Sequence, residues 1–217
     1  MIIDTSISYK HPHHPETSTV DALLRSLDAA GIDRAVIHHF GPITDFRFAA
    51  ANDELSRVVK AHPDRFIGVG TQNYYKGTDE TDRCLNDLGL HGVKLFSSWG
   101  LAPGTGLVEK FFFPIAEKLQ AAGSALMIEH EGHTPIIGGA VFWDNLIARA
   151  FPDLPVVMCR CWTWAYWPDY LMTAELNPNV LLEFTLAPTS CIDRALRELG
   201  PDRMVMGSWA PEMDPGA

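Results

Sequence analysis

Residues 108–130, VEKFFFPIAEKLQAAGSALMIEH, contain one complete helix–strand unit of this chain. A helical pattern over residues 108–122 ends at Gly123, and residues 125–130 then form a short apolar run that is typical of a buried strand. The same order of segments recurs along the whole chain. It predicts an α/β fold in which helices alternate with parallel strands.

Strand-like runs flank this unit on both sides, at residues 2–8, 34–39, 66–71, 91–96, 155–160, 179–185 and 203–208. Helical patterns lie between them, from a cap at Thr19 to Gly31 and at residues 50–61, 79–88, 143–150, 168–176 and 190–199. Eight alternating strands predict a closed (β/α)8 TIM barrel, and no glycine-rich nucleotide motif follows the first strand. We expect one barrel domain over residues 1–217. Only nine residues follow the last predicted strand, so we expect the barrel to lack its eighth helix.

The composition narrows the range of partners. The chain has 217 residues, 17 of them basic and 27 acidic, which gives a formal charge of −10, and 47% of its residues are hydrophobic. Nucleic acids and anionic membranes both attract clustered basic side chains, so we expect neither as a partner. A small-molecule substrate is the expected ligand. A homo-oligomer is a further possibility, because a partner subunit could cover the place of the missing eighth helix.

The sequence shows no sign of export. It contains no basic segment followed by an apolar run at the N-terminus and no stretch of eighteen apolar residues. Its four cysteines match neither a zinc ribbon nor a redox pair. We therefore expect a cytoplasmic protein with free thiols.

Six short motifs follow one another along the chain: MIID (1–4), AGIDRAV (30–36), HPDRFIG (62–68), GVKL (92–95), FPDLPVV (151–157) and DRMVMGS (202–208). Together they resemble the amidohydrolase 2 branch of the amidohydrolase superfamily, a group of metal-dependent hydrolases and decarboxylases. The resemblance implies a (β/α)8 barrel independently of the strand pattern. It also implies a divalent metal at the mouth of the barrel.

This sequence departs from the family at the positions of the metal ligands. The family pattern Asp-x-His-x-His on the first strand aligns with Ser6 and Ser8, the ligand position on the sixth strand with Arg160, and that after the eighth with Trp209. Hydroxyls are poor zinc ligands, an indole offers none, and a guanidinium repels a cation. We therefore expect no metal cofactor, with zinc as the alternative.

The fifth strand leaves a one-residue ambiguity. Counting from Gly123 aligns Glu129 with the ligand position, whereas a His-x-Gly pattern would select His130, and we favour Glu129. Replacement of nearly all the ligands on an intact scaffold suggests that they were replaced as a set, as in an engineered barrel. A natural non-catalytic relative is the alternative.

The side chains at these positions are expected to converge at the barrel mouth. A carboxylate in an apolar pocket has a raised basicity, so we expect Glu129 to act as a general base that abstracts a proton from a flat aromatic small molecule. Ser6 and Ser8 would donate hydrogen bonds, and Arg160 would supply a positive charge. The expected substrate-binding residues are Trp209, Trp162, Met127, Phe96 and Lys94.

Other roles for these residues remain open. Glu129 and Arg160 could form an internal ion pair, and Lys94 could form a Schiff base or a salt bridge with Glu129 or Asp4. A serine nucleophile would need a neighbouring histidine, for which the candidates are His38, His130 and His133. The aromatic run after the sixth strand is read equally well as loop packing or as a pocket wall.

Three classes of function therefore remain. The first is the metal-independent enzyme described above. The second is a metal-dependent hydrolase or decarboxylase with a relocated site, for which the candidates are His130, Glu131, His133 and the early histidines His11, His13 and His14. The third is a barrel that binds a small molecule without turnover.

Overall fold

The computed structural model describes residues 1–40, 47–96, 107–129, 137–161 and 167–212, and for residues 137–140 only the backbone. The strands follow the predicted order. They are β1 (Ile3–Tyr9), β2 (Arg34–His39), β3 (Phe66–Gly68), β4 (Gly70–Thr71), β5 (Gly92–Phe96), β6 (Ala125–Glu129), β7 (Val156–Cys159), β8 (Val180–Glu183) and β9 (Met204–Val205). Val69 separates β3 from β4, and its N–H donates to the carbonyl of Ile37 in β2 at 2.9 Å. The two short strands therefore occupy one barrel position.

Neighbouring strands pair in parallel around the barrel. β1, β2 and β3 form one ladder, and β4 to β9 form the other in sequence order. The barrel closes where the chain after β9 returns to β1. There Thr5 N–H donates to Met206 O at 3.0 Å, Trp209 N–H to Ser6 O at 2.8 Å and Ser8 N–H to Ala210 O at 2.8 Å. The predicted TIM barrel is confirmed.

The helices cover the outside of the barrel. They are α1 (Val20–Ala29), α2 (Phe48–Ala61), α3 (Asp79–Asp82), α4 (Val108–Phe111), α5 (Phe113–Ala121), α6 (Ile137–Ala150), α7 (Trp167–Leu176) and α8 (Thr189–Leu199). Among the described residues, none of these helices is long and apolar enough to cross a membrane.

Two predicted helices differ in detail from the structure. The pattern at residues 108–122 forms two helices, α4 and α5, because Pro114 in the first turn of α5 has no N–H to donate to the preceding turn. The predicted helix at residues 79–88 begins as α3 and continues as a wider turn, Arg83–Asp87.

The strand register decides which side chains face the lumen. Register partners in parallel strands share a face, so the pairs Phe96–Glu129 and Glu129–Cys159 place these three side chains on the lumen side. Met158 packs with the outer core between strands and helices, whereas Cys159 packs with Val69 and Met127 inside the barrel. The lumen position predicted for Arg160 implies the opposite for β7, because alternation would then turn Met158 inward and Cys159 outward. That expectation was wrong.

Candidate functional site

A buried ion-pair cluster lies at the carboxyl ends of the strands. Glu129 ends β6, and its Oε2 lies 2.5 Å from Nζ of Lys94 in β5. Its Oε1 lies 3.5 Å from Nε of Arg160, the residue that directly follows β7. All three side chains are nearly inaccessible to solvent. The cluster thus joins three of the residues that the sequence assigned to the site.

Arg160 reaches this cluster because its backbone leaves the strand geometry. Its φ angle is +59°, in the left-handed region that residues other than glycine rarely adopt. The turn directs its side chain toward Glu129, although Cys159 already occupies the lumen face. The Arg160 guanidinium carbon then lies 3.6 Å from the ring centre of Trp209, which is a cation–π geometry. Trp209 itself has a φ of +60°.

Lys94 is held in its charged form. Burial disfavours the ammonium, but the adjacent Glu129 carboxylate, together with Cys159 and Glu183, outweighs this effect, and the pKa of Lys94 is raised above its ordinary value. A charged amine is not nucleophilic, so the salt bridge with Glu129 is favoured over a Schiff base. The Lys94 ammonium also lies 5.6 Å from the ring centre of Phe96.

The environment of Glu129 differs from the one expected of a general base. The expectation was a carboxylate made basic by an apolar pocket, with Arg160 as a nearby cation and an internal ion pair of the two as the alternative. In the structure the carboxylate lies against Lys94 and Arg160, and neighbouring cations favour its charged form.

Glu183 is a second buried carboxylate at the mouth, and the sequence reasoning missed it. It ends β8, its Oε2 accepts the backbone N–H of Arg160 at 2.7 Å, and its Oε1 accepts the Thr185 hydroxyl. Burial raises the pKa of Glu183 to about 7; the two hydrogen bonds oppose this shift, and the charge of Glu129 adds to it. The sequence feature that could have revealed Glu183 is a glutamate within the otherwise apolar run NVLLEF (residues 179–184).

The two serines of β1 lie beside this cluster in different environments. Ser8 Oγ is 3.3 Å from Nε2 of His38, and both groups are buried. Burial, and then the charge of Lys94, lower the pKa of His38 well below its ordinary value, so this ring is neutral. The Ser6 hydroxyl is also buried and has no hydrogen-bond partner among the described residues.

The remaining predicted site residues are distributed as follows. Phe96 lies at the mouth, with its ring centre 5.7 Å from that of His38. Met127 lies deeper in the lumen, packed on Val69 and Cys159. Trp162, His130, Glu131 and His133 lie outside the described residues.

The residues at the family's ligand positions offer few donor atoms for a divalent metal. Ser6 and Ser8 offer neutral hydroxyls, and Trp209 offers no donor atom. Glu129 is the carboxylate of the set, and it already binds an ammonium and a guanidinium. The described residues at these positions therefore do not fit a divalent cation.

Comparison with known proteins identifies the family. A model of the amidohydrolase family matches residues 9–211, so the chain belongs to this family. The match begins after Ser6 and Ser8. The resemblance derived from the sequence motifs is thereby confirmed.

One curated relative is 2-amino-3-carboxymuconate-6-semialdehyde decarboxylase of Dictyostelium discoideum. It is 35% identical over 80 residues, which make up 36% of this chain and 21% of that protein. The chain thus matches about a fifth of the length of this relative.

Solved structures share the fold at lower identity. An uncharacterised TIM-barrel protein from Bordetella bronchiseptica has a TM-score of 0.77 at 19% identity, covering 99% of this chain and 88% of its own. The 5-carboxyvanillate decarboxylase of Sphingomonas paucimobilis has a TM-score of 0.73 at 17% identity, and the match covers 99% of this chain and 90% of that chain. The 5-carboxyvanillate decarboxylase of Novosphingobium aromaticivorans was solved as a mutant with manganese and 3-methoxy-4-hydroxy-5-nitrobenzoic acid. It has a TM-score of 0.75 at 20% identity, and the match covers 99% of this chain and 88% of that chain.

Proposed function

We propose that this barrel decarboxylates a small planar carboxylic acid, and that it does so without a metal at the family's ligand positions. The observation that carries the proposal is the cluster in which two buried cations, Lys94 and Arg160, share the Glu129 carboxylate. The decarboxylases of unsaturated and aromatic acids among the similar proteins support this class of substrate.

The charges at the mouth favour an anionic ligand. With a pKa of about 7, Glu183 is largely protonated below neutral pH, so among the described groups Glu129 alone then opposes two cations. Excess buried charge is unfavourable until it is paired. A substrate carboxylate would pair it, and the planar guanidinium of Arg160 matches the geometry of a carboxylate.

Trp209 has a positioning role in this proposal. It holds the Arg160 guanidinium by stacking at 3.6 Å, and both residues have left-handed backbone conformations. Such strained conformations cluster at functional sites, where the surrounding structure maintains them. The stack fixes the plane of the guanidinium and therefore the plane in which a carboxylate is bound.

Glu183 supplies the proton in the proposed reaction. The protonated carboxyl donates to the substrate carbon that carries the carboxylate, the bond to the carboxylate carbon breaks, and CO2 leaves while that electron pair returns to the substrate. Glu183 then regains a proton from water. A carboxyl with a pKa of about 7 is suited to this exchange near neutral pH. Glu129, to which the sequence assigned the proton transfer, instead holds the two cations in position.

The same residues support the metal independence of the proposed reaction. A cation at this position would lie beside Lys94 and Arg160, and Ser6, Ser8 and Trp209 would not replace the lost histidine and aspartate ligands. The protein must therefore stabilise the charge of the substrate with its own cations.

The experiment compares carboxylate-to-amide variants in CO2 release from a panel of aromatic and unsaturated acids. We expect Glu183→Gln to reduce turnover by about 100-fold or more, as for loss of a general acid. Glu129→Gln should mainly raise KM, because it loosens both cations. Glu198→Gln is the matched control, since Glu198 pairs with Arg194 on the exposed face of α8. Normal turnover in Glu183→Gln with loss in Glu129→Gln would restore the role that the sequence predicted for Glu129.

A second candidate function rests on the contact of Ser8 with His38. A hydroxyl 3.3 Å from a neutral imidazole is the arrangement that an acyl-transfer nucleophile requires. If this pair is catalytic, hydrolysis of an activated ester disappears in Ser8→Ala and persists in Ser6→Ala. Equal rates in both variants would exclude it.

A further inference from the structure

Two segments that are distant in sequence meet at the seam of the barrel. The loop after β1 contributes His11 and His14, and the segment after β9 contributes Glu212. The potential ligand atoms of these three residues all lie within 4.8 Å of one another. Nε2 of His11 is 2.9 Å from Oε1 of Glu212.

The His11 ring is buried in an arrangement that leaves one nitrogen unsatisfied. Only 1% of its surface is exposed. Its Nδ1 accepts the backbone N–H of His13 at 3.3 Å, so a neutral ring carries its proton on Nε2. That Nε2 has no hydrogen bond among the described residues, and its short contact with Glu212 lacks hydrogen-bond geometry. A buried polar atom without such a partner is unfavourable.

We propose that His11, His14 and Glu212 bind one divalent metal ion of the zinc class at the rim of the barrel. Two imidazoles and a carboxylate are a common ligand set for zinc and leave a fourth position for water. Binding through Nε2 of His11 moves its proton to Nδ1 and gives up the long contact with His13. The ion would then satisfy the buried nitrogen and pair with the Glu212 charge.

The loop is folded so that it presents both histidines. Ser18 is buried, and its hydroxyl donates to the His14 carbonyl at 2.7 Å while accepting the His11 N–H at 3.0 Å. The Ser18 N–H also donates to the His14 carbonyl at 3.0 Å. Little ordering of this segment is therefore needed when a ligand binds.

This site is separate from the ion-pair cluster of the proposed function. The His11 ring packs on Phe40 with 4.1 Å between ring centres, and Phe40 lies 6.3 Å from Phe96. The Phe96 ring in turn faces the Lys94 ammonium. The two aromatic rings thus stand between the proposed metal site and Lys94. The inference does not rest on the proposed decarboxylation.

The expected role of the ion is to strengthen the closure of the barrel. β9 has two residues, and the chain after it reaches β1 through short backbone contacts. Glu212 follows this seam directly, so an ion held by Glu212 and the histidines would tie the seam to the loop after β1. We therefore expect metal to raise the midpoint of thermal unfolding.

The test titrates the chelator-stripped full chain with Zn²⁺ and, separately, with Co²⁺. We expect one equivalent of Zn²⁺ to bind. Loss of even an outer contact weakens metal sites by about 10- to 100-fold, so His11→Ala and Glu212→Gln should lose at least about tenfold in affinity. Bound Co²⁺ should show no thiolate charge-transfer band, which separates this site from the free cysteines.

His13→Ala is the control from the same loop, because its exposed side chain lies outside the cluster. It should bind Zn²⁺ as the unmodified protein does, and metal should raise its unfolding midpoint equally. The circular dichroism of the stripped variants verifies their folding, and if His11→Ala does not fold, the less buried Glu212→Gln decides. Absence of stoichiometric binding, or equal affinity in Glu212→Gln and the unmodified chain, would overturn the proposal.

Discussion

The guanidinium carbon of Arg160 lies 3.6 Å from the ring centre of Trp209, and the two residues have φ angles of +59° and +60°. Each left-handed residue other than glycine costs about 1–3 kcal/mol. Arg160 comes from the end of β7 and Trp209 from the chain after β9, so two separate segments are strained where they meet. The surrounding contacts must therefore stabilise this stack.

Replacement of Trp209 tests the stack. Trp209→Leu removes the cation–π contact with Arg160, and we expect a loss of about 1–2 kcal/mol in the free energy of unfolding. Trp209→Phe keeps an aromatic face and should lose less. Denaturant unfolding measures both variants. Equal losses in the two variants would show that the aromatic face of Trp209 does not stabilise the protein through Arg160.

The Lys94–Glu129 pair is expected to show strong coupling. Lys94→Met leaves a buried carboxylate with one cation fewer, and Glu129→Gln leaves two cations without their anion, so each should destabilise the protein by about 3–5 kcal/mol. The double variant should lose less than the sum of the two. A double-mutant cycle in urea measures this coupling. The exposed Arg194–Glu198 pair serves as the control, and additive losses at Lys94 and Glu129 would contradict an interacting pair.

The raised pKa of Glu183 predicts the direction in which the stability of the protein changes with pH. Burial raises this pKa from 4.5 to about 7, so the folded protein binds more protons than the unfolded chain between these values. The contribution of Glu183 to stability is therefore full at low pH and decreases as the pH rises through about 7. Relative to Glu183→Gln, the unmodified protein should lose stability from about pH 5 to about pH 8.

Infrared difference spectra give an independent measurement of the same group. The spectrum of the unmodified protein minus that of Glu183→Gln should contain a protonated carboxyl band at about pH 6 that is lost by about pH 8. A band from an ionised carboxylate already present at about pH 5 would contradict the proton-donor role.

Gly207 gives a prediction about space beside Glu183. A Cβ at this position would collide with Oε1 of Glu183 and lie 2.6 Å from the Cβ of Ser6. We expect Gly207→Ala to cost about 1–3 kcal/mol and to displace Glu183. Gly31→Ala is the control for a loss of stability that does not displace Glu183. The positive φ of Gly31 strains an alanine there, but its Cβ would meet no other atom. If Gly207→Ala leaves the pH dependence of Glu183 unchanged, the side chain of Glu183 has not moved.

Most of the fold was predictable because it depends on local patterns. The caps and apolar spacing predicted α1 and α2 nearly to their ends, and the alternation predicted the closed barrel. The break between α4 and α5 is also local, since it follows from Pro114. These features depend on neighbouring residues, which a sequence displays directly.

The site was less predictable because its geometry depends on distant residues. Alternation along β7 fails at Arg160, where a non-glycine residue takes a left-handed conformation that no motif marks. Glu183 was missed because its raised pKa results from burial by several strands. The contact of Glu212 with His11 spans almost the whole chain, so its spacing carries no signal.

CO2 release by the chelator-stripped protein tests the central claim most directly. The His11→Ala variant is included, so that any metal dependence left in it originates at the mouth of the barrel. The account predicts turnover of a planar carboxylic acid that is unchanged by chelation in both proteins, while bound metal is measured as absent. Turnover that is lost on chelation and restored by manganese in His11→Ala would contradict it.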